Sequence, residues 1–238
     1  MRIDKIKVKN AFNSSVETYA ANNSLQNKTG TNLINFIKNY KDNFTNILDI
    51  GCGVGNITNL LSKEIINTSI LGIDISSNSI ARAQSKYNIK FLVNDFDNIK
   101  TKTDLIFSNL SLHWSPNLKS TLENMKGSLK KGGMLGFTIP VKNTFHELND
   151  FCNIHKFYES RDLEEMLFQA GYRNVYSKNS SITIKFNTFK DALMSLKNTG
   201  TNYTPKTSKG LSLKLKSLLK SNKPIDLTYN ISYFLVEV

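Results

Sequence analysis

Between Asn46 and Pro140 short apolar runs alternate with stretches of helical periodicity, and this alternation constrains the fold more than any other feature. "NILDI" (46–50), "SILGIDI" (69–75), "IKFLVNDF" (89–96), "TDLIFSNLSL" (103–112) and "MLGFTIP" (134–140) read as strands. "NITNLLSKEI" (56–65), "SSNSIARAQSKY" (76–87) and "LKSTLENMKGSLKKGG" (118–133) read as helices. The second is opened by Ser76 or Ser77 as a cap, and the third is closed by glycines. Strands that each give way to a helix describe a parallel sheet with helices on both faces.

The flanks read differently. Residues 5–45 are helical in pattern, with Phe12, Val16, Tyr19, Leu25, Leu33, Phe36 and Ile37 at loosely helical intervals and a break near Gly30. After about residue 144, "TFHELNDFCNI" and "ESRDLEEMLFQAGY" look helical and "VYSKNSSITIKF" alternates like a strand. "TFKDALMSLKNTG" and "LSLKLKSLLKS" look helical again, and "DLTYNISYFLVEV" ends the chain as a strand. The 238 residues, 39% of them hydrophobic, suffice for one core with a small cap.

Composition removes several classes. No apolar run approaches the length of a membrane span. "MRIDKIKVKN" lacks the apolar centre of a signal peptide, so the expected location is the cytoplasm. Cys52 and Cys152 make neither a disulfide framework nor a metal-ligand spacing, and no metal is expected. The net charge of +12 would attract an acidic partner. Nearly all of the basic residues are lysines in a chain crowded with Asn, Ile and Ser, as compositional drift would also give, so charge alone chooses no partner.

The turn "ILDIGCGVGNIT" (47–58) lies between the first strand and a helix, where glycines let the backbone approach a ligand and the helix N-terminus favours anionic or polar groups. A dinucleotide turn and an S-adenosylmethionine (SAM) loop are both conceivable. The dinucleotide fingerprint is spaced G-x-G-x-x-G; here Gly51, Gly53 and Gly55 give G-x-G-x-G. Asp49 stands just before them, where a carboxylate repels a pyrophosphate but suits an ammonium, directly or through water. That favours SAM. Asp74, followed by Ile75, ends the second strand where a carboxylate accepts ribose hydroxyls. Asp95 ends the third, placed to accept from the amine of adenine, with Phe96 offering a backbone N–H or a ring face. Three acids at three successive strand ends point into one crevice.

"LDIGCGVG", "GIDIS" and "NDF" resemble the successive SAM-binding motifs of class I methyltransferases. "SNLSLHW" (108–114), "LKKGGMLGFTIP", the N-terminal "FNSSVETYAANNSLQ", "LKNTGTN" (196–202) and "LTYNISY" (227–233) narrow the resemblance to the malonyl-[acyl-carrier protein] O-methyltransferase family of biotin synthesis, over nearly the whole chain. The chain departs from that family at His113, where Gln is usual, at Asn27 and Lys28, where the base comes one step late, and at Thr199 and Thr201.

The resemblance implies an α/β fold over 1–238: a doubly wound, mostly parallel, seven-stranded Rossmann-like sheet with an N-terminal helical lid (1–45) and a helical cap (187–224) before the last strand. It implies SAM as cofactor, held by Asp49, Gly51, Cys52, Gly53, Asp74, Ile75, Asp95 and Phe96, with Asn109 and Gln26 beside it. Cys52 reads as a small residue that fits the loop. The implied reaction moves a methyl to the free carboxylate of malonyl on an acyl carrier protein, with malonyl-CoA as a second thioester to consider.

A carboxyl group of pKa about 4 is ionised at neutral pH, so no general base is needed. Rate then comes from orientation and from excluding water. Tyr19 and His113 are placed as the residues that orient the acyl group, Trp114 as a wall against water, and Tyr203 and Tyr229 as residues reaching from the cap. Lysines 206, 209, 214, 216, 220 and 223 would receive an acidic carrier and its phosphopantetheine arm. The rivals are a small-molecule carboxyl or quinone methyltransferase and a methyltransferase-like assembly factor of respiratory complex I that hydroxylates a protein arginine. A nucleic-acid methyltransferase suits the charge, yet the chain carries no Pro-Pro-Tyr-like motif and no RNA-binding module.

Overall fold

The computed structural model describes residues 3–21, 23–150, 152–154, 156–198, 203–205, 219–220 and 223–238 and, within them, the side chains other than those at positions 15, 17–21, 152–154, 197–198 and 203–205. Two helices lead, α1 (Lys5–Ala21) and α2 (Ser24–Lys38). Then come β1 (Asn43–Ile50), α3 (Asn56–Glu64), β2 (Ile66–Asp74), α4 (Ser77–Lys86), β3 (Lys90–Val93), β4 (Thr103–Asn109), α5 (Leu118–Ser128) and β5 (Leu129–Pro140). The chain continues through β6 (Cys152–Ile154), α6 (Ser160–Gln169), β7 (Arg173–Phe186), α7 (Phe189–Asn198), β8 (Tyr203–Pro205) and β9 (Ile225–Glu237).

Seven strands form one sheet in the order β3-β2-β1-β4-β5-β9-β7. β1 to β5 pair in parallel, and β9 runs antiparallel between β5 and β7. The chain winds outward from β1 to β3 and then returns to β4, so the order reverses between β1 and β4. At such a switch point the loops on either side lead away from each other and open a crevice beyond the strand ends. β6 and β8 pair as a separate two-stranded ribbon.

Strand alternation divides the core between the two faces. Ile47, Leu105, Phe107 and Leu235 join α2, α3 and α7 on one side. Leu48, Ile106, Leu135 and Phe234 join α5 and α6 on the other. Leu105, Ile106 and Phe107 are all fully buried, and each such side chain contributes about 1.5–3 kcal/mol of transfer free energy.

Three readings of the flanks are corrected. Gly30 does not break a helix: α2 runs through it, and it is buried where a Cβ would come within 2.7–2.9 Å of Ile57 on α3. It is a close-packing residue, and α2 instead begins at Ser24, with the non-helical Asn23 before it. The helix expected over 118–133 stops at Ser128, and the "LKKGG" that looked like its end is the start of β5, paired to β4 and β9. "TFHELNDFCNI" is a single 3-10 turn (His146–Leu148) followed by the short strand β6, not a helix. Of the proposed 187–224 cap, α7 and β8 are described, while 206–218 lie outside the described residues.

Candidate functional site

The turn after β1 is built from left-handed backbone. Gly51, Gly53 and Gly55 have φ of 67°, 54° and 80°, a region that L side chains enter only with strain. At Gly51 a Cβ would also overlap Ser111, and at Gly55 it would come within 2.8 Å of Phe91. The turn is closed by its own amides. The N–H groups of Gly51 and Cys52 donate to the Ile73 carbonyl at 2.8 and 3.0 Å, and that of Gly55 to the Cys52 carbonyl at 3.1 Å. The Gly53 N–H donates to Asp74 Oδ2 at 2.9 Å. A pyrophosphate needs such amides for itself. Those of Gly51, Cys52, Gly53 and Gly55 are engaged inside the protein.

Asp74 presents its carboxylate at the end of β2. Oδ2 accepts from Gly53 and Oδ1 from the Ser76 N–H at 2.8 Å, which leaves lone pairs on both oxygens for a diol. Burial pushes its pKa up, opposed by those two amides. Ser76 caps α4, accepting from the Ser79 N–H at 3.1 Å.

A cleft opens above these groups. Gly51, Gly53, Asp74, Ile75, Asp95, Phe96 and Asn109 line it, so seven of the ten residues expected at the cofactor come together. Trp114 lines it too. The other three sit behind the wall. Asp49 is 2% exposed and accepts from Thr58 Oγ1 at 2.6 Å. Its pKa is raised to about 7, chiefly by burial, with the Thr58 bond opposing and Asp74 adding to the rise. Cys52 is partly buried, and its thiol is pushed well up by burial and by Asp49 and Asp74, and so is no nucleophile. The Gln26 carbonyl accepts from Asn109 Nδ2 at 2.8 Å, and its side-chain Oε1 is buried without a hydrogen-bond partner among the described residues. Asn109 also accepts from Thr138 Oγ1 at 2.8 Å, tying α2 to the ends of β4 and β5.

The sequence reading expected a helical lid at 1–45 without naming the residues that would face the ligand. Lys5, Val8, Phe12 and Val16, one face of α1, line the cleft opposite the strand ends. Lys5 pairs with Asp95 and Asp97 and lies 4.3 Å from the centre of the Phe96 ring. Asn13 Oδ1 accepts from Ser76 Oγ at 2.7 Å, and Phe12 meets Trp114 edge-on at 5.9 Å. The spacing of Val8, Phe12 and Val16 at i, i+4 and i+8 was the available signal. Ser79, Leu110 and Ser111 complete the lining; Leu110, at φ 53°, holds a strained backbone at the cleft wall.

The acyl-side residues scatter. His113 faces a different cavity. Tyr19 belongs to α1, but its side chain is outside the described residues, as is that of Tyr203. Tyr229 is 8% exposed in the core against Phe145, away from the cleft lining. Of the six lysines, Lys220 and Lys223 are described and exposed, and 206, 209, 214 and 216 lie outside the described residues. Among the described residues no cluster suits a metal ion, and no helix is long and apolar enough to cross a membrane.

A methyltransferase domain family matches residues 41–200. The chain is 28% identical over 241 residues to malonyl-[acyl-carrier protein] O-methyltransferase 2 of Coxiella burnetii, covering 98% of this chain and 96% of that one. It is 30% identical over 221 residues to the enzyme of the same name from Ilyobacter polytropus, covering 87% and 85%. Among solved structures it is similar to the magnesium protoporphyrin IX methyltransferase of Synechocystis PCC 6803 with bound SAM, at a TM-score of 0.54 and 13% identity, covering 90% and 79%.

Proposed function

The chain belongs to the methyltransferase domain family and is a SAM-dependent methyltransferase, and from that premise we propose that its acceptor is the free carboxylate of malonyl carried on an acyl carrier protein. The observation that carries this reading is the end-to-end similarity to relatives with that name, over 98% of the chain in one case, together with the cleft in which the glycine turn and two strand-end acids converge.

SAM supplies a methyl group on a sulfonium that an oxygen nucleophile takes in a single displacement. The residues that would hold it fit. Asp74 would accept from the ribose hydroxyls, and Asp95, which pairs with Lys5, and Phe96 would meet the base. Gly51 and Gly53 let the methionine end lie against the turn, since neither has a side chain to stand in its way. Asp49 stabilises a cation from below the turn. Val8, Phe12, Val16 and Trp114 present hydrocarbon to the reacting centre. Sulfonium and carboxylate neutralise each other as they react, so a site poor in water favours the transfer. In this reading α1 is a lid, and its contacts through Lys5, Phe12 and Asn13 are its closures.

The test offers the protein SAM with malonyl-carrier protein, malonyl-CoA or trans-aconitate and looks by mass spectrometry for one added methyl. Methyl ester on the malonyl thioester is the expected result. Methylation of trans-aconitate alone would move the enzyme to the small-molecule carboxyl class.

A further inference from the structure

One charged side chain of α1 reaches across the cleft. Lys5 is the first residue of that helix, where the helix dipole disfavours a cation. The helix start is already served by Asp4, whose Oδ1 accepts from the N–H groups of Ile6 and Lys7 at 3.0 and 3.3 Å. Lys5 therefore does nothing for its own helix, and its partners lie on the far side of the cleft. Its ammonium bridges Asp95 and Asp97 and lies over the ring of Phe96. The three charged side chains are 19%, 24% and 29% exposed, and charges so shielded are screened less than pairs in open solvent.

The two acids are fixed from the body of the protein. Asp95 Oδ1 also accepts from the Asp97 N–H at 3.0 Å, and Asp97 Oδ1 accepts from Thr121 on α5. Asp95 Oδ2 carries no hydrogen bond from the described residues. Lys5, Val8 and Phe12 stand at i, i+3 and i+7, so the ion triad and the apolar roof share one helix face. Eight residues on, about 12 Å along the helix, Asn13 holds the opposite rim. Its Oδ1 accepts from Ser76 Oγ at 2.7 Å and from the Asn78 N–H at 3.3 Å. The roof is thus fastened on both sides of the cleft, by an ionic contact at one rim and by neutral hydrogen bonds at the other.

Resting on the placement of the adenosyl donor in this cleft, we infer that Lys5 is a positioning residue for the adenine and the ionic catch that governs cofactor exchange. By holding Asp95 Oδ1 it leaves Oδ2 to accept from the exocyclic amine of the base, and it closes α1 over that base. The demethylated product leaves when the triad opens. That product carries an ammonium and a carboxylate and no net charge, so salt acts on the catch far more than on the ligand.

Trp114 is the sole tryptophan and meets Phe12 of α1 edge-on, so its fluorescence reports the roof. The experiment preloads wild type, Lys5→Gln and Lys5→Arg with radiolabelled S-adenosylhomocysteine and chases with excess SAM, following both the label and the fluorescence. Lys5→Gln releases the ligand about 10- to 100-fold faster, the loss of one charge-assisted contact. Lys5→Arg restores slow release. Raising salt from roughly 50 to 500 mM speeds release from the wild type and leaves Lys5→Gln unmoved. A release rate within twofold of wild type in Lys5→Gln, folded by circular dichroism, overturns the catch and leaves the donor site standing. Faster release with the same salt dependence as the wild type also overturns it, because the lysine then acts without its ion pairs. Should the wild type bind no S-adenosylhomocysteine by calorimetry, the placement of the donor has itself failed, and the catch falls with it.

Discussion

Buried beneath the glycine turn, Asp49 carries a carboxyl group whose pKa is raised to about 7 by desolvation. Between its ordinary value of 3.8 and about 7 the folded protein holds a proton that the unfolded chain has released. Stability from this residue therefore falls as pH rises through that interval. Asp49→Asn should raise the thermal midpoint more at pH 8 than at pH 5, and an equal shift at both would place the titration elsewhere. A cation bound in the cleft favours the ionised form, so SAM binding near pH 6.5 should release a fraction of a proton. Calorimetry in buffers of different ionisation enthalpy would read that release, and it should be absent in Asp49→Asn. The acid before the turn was legible in the sequence. Its depth was not, because burial there depends on Thr58, nine residues on, and on the neighbouring strands that cover β1.

At the scale of elements, two helical glycines make opposite predictions. In α2, a Cβ at Gly30 would crowd three atoms of Ile57, so Gly30→Ala should force α2 and α3 apart and cost about 1–3 kcal/mol. In α5, a Cβ at Gly127 meets nothing within 4 Å, and Gly127→Ala should stabilise by about 0.5–1 kcal/mol through helix propensity and a less flexible unfolded chain. Urea denaturation distinguishes the two, and the same sign for both would refute the packing assigned to Gly30. The sequence reading took Gly30 for a break because propensity is local, whereas close approach to α3 is a tertiary fact. A lid at 1–45 was expected, but the contacts of α1 were hidden for the same reason: Lys5 finds its partners at Asp95 and Asp97, some 90 residues away. The strands β1 to β4 and the cap at Ser76 needed no such distant information, since apolar runs and side-chain caps act within a few residues.

For the whole molecule, the alternation of strands and helices was enough to imply a doubly wound sheet, and the switch point between β1 and β4 then fixes where a ligand lies. The ribbon of β6 and β8 was not legible, because three-residue strands carry no period. The cavity beside His113 was obscure in sequence because its wall gathers Ile3 with residues from three further segments, 112–118, 139–140 and 156–158. The net charge of +12 is a property at this scale too. If it serves an acidic carrier protein, KM for malonyl-carrier protein should rise about tenfold between roughly 50 and 300 mM salt, while KM for malonyl-pantetheine moves far less. Equal salt dependence for the two would leave the charge without a docking role. All of this presupposes that the cleft under α1 is where the methyl donor sits, and titration calorimetry with S-adenosylhomocysteine tests that most directly. Wild type should bind one equivalent, and Asp74→Ala, folded by circular dichroism, should bind at least about 100-fold more weakly for want of the ribose acceptor. Equal affinity in the two proteins would contradict the placement of the site.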